Sequence, residues 1–264
     1  MHIYRIGDVT VLNDHIEVPG LGFLPVNAFV LHAEQPVVID SGLSTADKDF
    51  VSALAEVIDP ADIRWLWITH PDRDHTGGLW PLLAAAPTAR LVTTFLGMGI
   101  MSTEWTLPLN RLFLLNPGQA LDVGDRHLRC FRPPLFDSPS TTGFLDERTG
   151  VIFSSDCFGA PMPSEELATS ADVRAVGDQV RDLQLLWASV DSPWVQQVDP
   201  ARFRATVDPV RAMGASAVFS THLPPVQQPD DRLYETVLLA PQTTPFLGPD
   251  QAALEALLAT FQPG

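Results

Sequence analysis

Thr69-His70-Pro71-Asp72-Arg73-Asp74-His75-Thr76-Gly77-Gly78 sets two imidazoles and two carboxylates within six residues. The apolar run Arg64-Trp65-Leu66-Trp67-Ile68-Thr69 leads into it and reads as a buried strand. Gly77-Gly78 and Leu79-Trp80-Pro81-Leu82-Leu83 follow, and read as a glycine-opened helix. The four donors therefore share one strand-to-helix loop. There they can converge on an ion, whereas a regular strand or helix would point neighbours apart. Asp72, Asp74 and Thr76 could instead cap the helix. A cap explains one acid, but not a second acid framed by two histidines, nor paired glycines that let backbone approach closely. The stretch is therefore read as a metal site at the end of a strand.

The remaining sequence fits an α/β chain. At 264 residues and 45% hydrophobic content it can bury one sizeable core. A strand-rich opening includes Val9-Thr10-Val11-Leu12, Asn27-Ala28-Phe29-Val30-Leu31 and Val37-Val38-Ile39-Asp40, and helices are expected at about 45–58 and 76–86. After a strand at Arg90-Leu91-Val92-Thr93, the second half repeats the order. Strands are expected near 112–115, 127–131, 142–145 and 151–154, a helical stretch over 164–190, a helix over 200–213 and a strand to Thr221. Two last helices are expected near 231–239 and 250–261. Gly97 to Trp105 is apolar and could line a pocket for a small or apolar ligand, although core packing, in which Met fills gaps, is the better explanation.

A net charge of −16, with Lys48 the one lysine, argues against nucleic-acid partners and against an anionic membrane surface. Cys130 and Cys157 make no disulfide framework and read as small buried hydrophobes. The start Met1-His2-Ile3-Tyr4 runs into a strand pattern without signal-peptide character, and no run reaches the roughly 20 apolar residues of a membrane span. A cytoplasmic protein is the expectation. His2, His15, His32 and His127 have no comparable company and read as surface or strand histidines, with His15 near enough to the loop Pro19–Pro25 to face the site.

The loop at His70 resembles the H-x-H-x-D-H signature of the metallo-β-lactamase superfamily, which also follows a strand. Asp72 stands where that signature has its second histidine, and an acid there is similar to the H-x-E-x-D-H form of the flavodiiron branch, whose members hold a pair of irons. Phe153-Ser154-Ser155-Asp156-Cys157-Phe158-Gly159 resembles the segment carrying the metal-bridging carboxylate, and Ser220-Thr221-His222 the segment carrying the last histidine. One position departs from the pattern. The branch places a histidine before a Trp-Pro or Ser-Pro pair, and Asp137 occupies its place in Leu135-Phe136-Asp137-Ser138-Pro139. Asp137 either ligates through oxygen or only shapes an Asx-turn there.

The resemblance implies a four-layer αββα sandwich, with residues 1–264 as one domain and no stretch for a flavodoxin-like donor. It implies a first ion on His70, Asp72 and Asp137, a second on Asp74, His75 and His222, and Asp156 bridging them. Asp40 would buttress the loop from behind, and Phe23 and Leu24 would overhang the site. A carboxylate-rich set of this kind suits iron, with zinc or manganese as the other candidates. The expected function is a diiron protein that binds or reduces O2 or a related small oxidant, with electrons from an external redox partner. The alternatives are a dinuclear hydrolase of an ester, lactone or thioester, in which Asp74 orients the attacking water, and an O2 or redox sensor without turnover.

Overall fold

The computed structural model describes residues 1–45 and 49–260. Two sheets stack face to face. The first has the order β1 (His2–Ile6), β2 (Val9–Val18), β3 (Gly22–Leu31), β4 (Val37–Ile39), β5 (Trp65–Trp67), β6 (Arg90–Thr93), β7 (Leu112–Leu114). Its first four strands pair antiparallel, and β4 to β7 run parallel. The second sheet contains β8 (Ala120–Asp122), β9 (His127–Phe131), β10 (Gly143–Asp146), β11 (Val151–Phe153), β12 (Ala217–Phe219) and β13 (Val226–Gln227) in the order 13-12-11-10-9-8, with β11 and β12 parallel.

The period-2 alternation of the strands builds the layers. Phe29, Ile39 and Trp67 of the first sheet meet Phe144, Phe153 and Phe219 of the second in one buried core. Phe29 packs edge-on against Phe153 and Phe219, with ring centroids 5.4 and 5.5 Å apart. Each such side chain, fully buried, contributes about 1.5–3 kcal/mol by leaving water. The alternate residues Ala28, Val30, Val38 and Leu66 face outward, under α1 (Phe50–Ala55) and, after the short α2 (Arg73–Thr76), under α3 (Leu79–Ala85) and α4 (Phe95–Met101). Ile152 and Val218 do the same on the other side, under α5 (Glu165–Ala168), α6 (Val180–Asp191), α7 (Pro200–Arg211) and α8 (Asp231–Leu239); α9 (Gln251–Thr260) follows. The four-layer αββα order expected from the resemblance is the observed one. Among the described residues no helix is long and apolar enough to cross a membrane.

Some elements differ from expectation. The helix expected over 45–58 begins at Phe50, and its first part, 46–48, lies outside the described residues, as does Phe261 at the end of the last helix. The stretch 164–190 is not one helix: α5 ends at Ala168, a 3₁₀ segment covers Val173–Gln179, and Gly177 breaks it at φ 70° before α6 starts. The helix expected over 76–86 is split by Gly77-Gly78. A Cβ at Gly77 would lie 2.3 Å from backbone at Leu43 and Ser44, so the glycine lets two chain segments touch beside the His70 loop. Phe23 does not overhang the site as a free tip. It pairs with Met162 through backbone hydrogen bonds of 2.8 and 2.7 Å and packs into the helix-side core, and Leu24 is buried.

Candidate metal centre

Parallel strands bring their C-terminal ends to one rim, and that rim carries the acids and histidines. β5 leads into His70, Asp72, Asp74 and His75; β11 leads into Asp156; β12 leads into His222; Asp137 comes from the connection between β9 and β10. All seven residues singled out in the sequence therefore meet. His70 Nε2 lies 3.2 Å from Asp156 Oδ2, 3.6 Å from Asp137 Oδ1 and 3.9 Å from Asp72 Oδ2. His75 Nε2 lies 3.1 Å from Asp156 Oδ1 and 3.6 Å from Asp74 Oδ2. His222 Nε2 lies 3.2 Å from each of the same two oxygens. Asp156 thus turns one oxygen to His70 and the other to His75 and His222.

These separations suit shared ions. Donors held at about 2.0–2.2 Å from one ion stand roughly 3–4 Å apart. Asp156 Oδ1 and His75 Nε2 are buried with no hydrogen-bond partner, an arrangement that costs about 1–3 kcal/mol per group unless something binds them. The residues present fit a pair of metal ions.

The histidines are held from behind. Asp40 takes a left-handed φ of 56° at the end of β4, and its Oδ1 accepts from Thr69 N at 2.8 Å. Its Oδ2 accepts from His75 Nδ1 and from Thr69 Oγ1, both at 2.8 Å. Ser155 Oγ donates to Thr69 Oγ1 at 2.9 Å, which leaves it to accept from His70 Nδ1 at 3.1 Å. One chain of hydrogen bonds therefore joins His70, Ser155, Thr69, Asp40 and His75 and turns both Nε2 atoms inward. His222 Nδ1 donates to the Pro25 carbonyl at 2.7 Å, so β3 sets its ring. Asn27 locks the same loop, its side-chain amide donating to the Ser220 and Leu223 carbonyls at 3.0 and 2.9 Å. Trp187 covers His222 edge-on at 5.3 Å, over Gly159, where a Cβ would strike the indole at 2.7 Å.

The two sides of the centre differ electrostatically. Burial opposes charge on His75 and His222, but Asp156 leads the acids that outweigh it; His75 is raised well above the ordinary histidine value and His222 is pushed up to about 9. Burial would also raise Asp74 and Asp156, yet the histidines hold both below the carboxylate range. On the His70 side the balance reverses. Burial, with His75 next to it, lowers His70, while burial and neighbouring acids raise Asp72 and Asp137. Acids outnumber imidazoles there.

Sequence reading missed Asp191. It ends α6, and burial followed by the charges of Asp156 and Asp137 pushes its carboxyl up to about 8. No local spacing marked it, because its company is assembled by the fold alone. Ser155 and Asn27 were missed for the same reason. Cys130 and Cys157 are buried and unpaired, and burial pushes both thiols up to about 12, as expected of small hydrophobes.

The sequence profile of the Metallo-beta-lactamase superfamily matches residues 21–128. The anaerobic nitric oxide reductase flavorubredoxin of Salmonella typhi is 27% identical over 176 residues, which is 66% of this chain and 36% of that protein. The chain thus spans about a third of that relative's length. The structure of rubredoxin oxygen:oxidoreductase from the anaerobe Desulfovibrio gigas superimposes with a TM-score of 0.74 at 16% identity, over 91% of this chain and 60% of that one. A fragment of putative diflavin flavoprotein A 5 from Nostoc sp. gives 0.73 at 15% identity, over 91% and 96% of the two chains.

Proposed function

We propose that this chain, which has the metallo-β-lactamase fold of flavodiiron cores, holds a dinuclear iron centre and binds or reduces O2 or a related small oxidant such as NO. Electrons come from a redox partner outside the described fold. The observation that carries the reading is the split of Asp156, with Oδ2 on His70 and Oδ1 on His75 and His222. A carboxylate so placed can join two ions. Two of the similar proteins bear names that specify nitric oxide and oxygen as what they act on.

A pair of irons supplies electron transfer to a small bound oxidant. The chain's own residues supply the setting. His70, Asp72 and Asp137 form one ligand set and Asp74, His75 and His222 the other, with Asp156 between them. Asp40, Ser155 and the Pro25 carbonyl fix the imidazole orientations, so little reorganisation is needed on binding. Trp187 keeps bulk water from one face of His222.

The test is to purify the protein from its own host under anaerobic conditions, measure iron, zinc and manganese per chain by mass spectrometry, and follow O2 or NO consumption with a generic reductant. Iron at close to two per chain, with reductant-dependent consumption, is expected. Zinc alone, with hydrolysis of an ester, lactone or thioester, would move the assignment to the hydrolase. Iron and oxidant binding without turnover would make the protein a sensor.

A further inference from the structure

The inward side of α4 is accounted for by packing. Met101 is buried and Met98 packs with it in the core outside the first sheet. A Cβ at Gly97 would lie 2.4 Å from Thr93 Oγ1, so that glycine lets the helix sit close on β6. The opposite side has no such cover. Phe95, Leu96 and Ile100 are 64, 50 and 42% exposed and, at helical spacing with Gly99, make one face. Gly99 stands among them inside the helix, where glycine is destabilising relative to alanine. Yet no described atom beyond the helix's own backbone would come within 4 Å of a Cβ there. Packing within the chain therefore does not call for that glycine. Leu114, 43% exposed, extends the face: β7 is the edge of the first sheet, and Leu114 pairs with Thr93, whose side chain points to α4.

The face is also uncharged. Residues 91–103 and 112–121 contain no Asp, Glu, Lys or Arg, in a chain of which 18% is charged and whose net charge is −16. Copies of so acidic a chain repel one another, and a neutral face lets two of them meet without setting acid against acid. A strongly charged partner would find no counter-charge there. Four large side chains, each about half exposed, offer on the order of 400 Å² per copy, against the roughly 800 Å² that each partner brings to a standard interface. That is the scale of a weak dimer. We propose that α4 packs against α4 of a second copy about a two-fold axis at Gly99. The two glycines meet at the crossing and let the backbones approach, while Phe95 and Leu96 of one copy lie over Ile100 of the other. Bulk, glycine and bulk in that order along the helix make the face self-complementary, as a contact between identical surfaces requires. The contact does not depend on the dinuclear reading.

The experiment measures the mass of the full-length protein by sedimentation velocity from low to high micromolar concentration, for wild type, Leu96→Glu, Ile100→Glu and Gly99→Leu. Thermal melts verify that each variant folds. Wild type is expected to pass from monomer to dimer as concentration rises. Leu96→Glu and Ile100→Glu should each weaken the dimer by about tenfold or more, since the new carboxylate meets an apolar surface that cannot pair it. Gly99→Leu should weaken it as much by wedging the helices apart, although leucine favours the helix itself. Wild type that stays monomeric at every concentration would overturn the proposal, and so would a dimer that none of the three substitutions weakens. A monomer that co-sediments with phosphatidylcholine vesicles, and no longer does so as Leu96→Glu, would overturn it in favour of a lipid surface.

Discussion

The Asp40 carboxylate stands 2.8 Å behind His75 Nδ1 while also accepting from the Thr69 amide, so one side chain orients a histidine and anchors the loop that carries it. The hydrogen bond puts the proton on Nδ1 and leaves Nε2 for the site. Asp40→Asn should therefore weaken the second position without unfolding the chain, since Asn tolerates the left-handed φ of 56°. We expect a loss of about 10–100-fold in Fe(II) or Zn(II) affinity at that position. Affinity equal to wild type in an anaerobic titration would show that Asp40 serves only the fold.

Asn27 plays the corresponding part for His222, from the opposite sheet. Asn27→Leu would strip hydrogen bonds from the buried Ser220 and Leu223 carbonyls, at about 1–3 kcal/mol for each acceptor left bare. The melting temperature should fall, and the second position should bind more weakly because the His222 loop loosens. A lower melting temperature with unaltered metal affinity would separate the two roles and refute the second.

Asp156 touches both ligand sets, whereas each histidine belongs to one. Asp156→Ala should therefore lower total metal content more than His70→Ala or His222→Ala does, when all are loaded alike and measured by mass spectrometry. Full occupancy in Asp156→Ala would rule out the bridging assignment.

Stability away from the centre has its own lever in Arg126. Its guanidinium, 2% exposed, binds Asp8, Asp125 and the fully buried Asp146 at 2.8–3.0 Å. Arg126→Leu leaves Asp146 without its cation and should cost about 3–5 kcal/mol. The pH dependence follows from Asp125, whose carboxyl the hydrogen bond from Arg126 holds below the usual range. A lowered folded value means the contribution is complete above the unfolded value of about 3.9 and drains as pH falls through the folded one. The gap in melting temperature between wild type and variant should stay constant above about pH 4 and narrow below it, in calorimetry of the metal-free protein.

Much of the centre could be read before folding because its residues sit where strands end. His70, Asp72, Asp74 and His75 share one loop, so local pattern exposed them, whereas Asp156 and His222, each after an apolar strand, were legible through the family resemblance of their segments. Asp191 gave no such signal, since it closes a helix whose approach to Asp156 depends on how α6 packs across the second sheet. Ser155 and Asn27 are ordinary polar residues until the hydrogen bonds that use them are formed. Strand limits were legible for β9, where exposed and buried residues alternate over its first four positions, and for β6, a short apolar run buried from Leu91 to Thr93. The region 164–190 was not, because its polar–apolar pattern reads as helix throughout while Gly177 at φ 70° breaks it.

Asp137 is where this chain parts from the pattern it resembles. Its Oδ1 lies 3.6 Å from His70 Nε2, and its neighbours in the loop hold it there: the Phe136 carbonyl accepts from Trp194 Nε1 at 2.6 Å, and the Ser138 carbonyl accepts from Thr141 N at 3.1 Å. Because the turn is fixed by these other groups, Asp137→Asn should keep the loop and remove only charge. If Asp137 is a ligand, the first position then weakens, by about tenfold or more, while the second does not move. Asp137→His should recover binding at least in part, since imidazole is what the flavodiiron pattern carries at this place, and it should shift preference from Mn(II) towards Fe(II) and Zn(II). Anaerobic titrations with all three ions read both effects. Unchanged stoichiometry and affinity in Asp137→Asn would mean that Asp137 only shapes its turn, leaving one dominant metal on His75, His222 and Asp74 and raising the standing of hydrolysis over oxidant reduction.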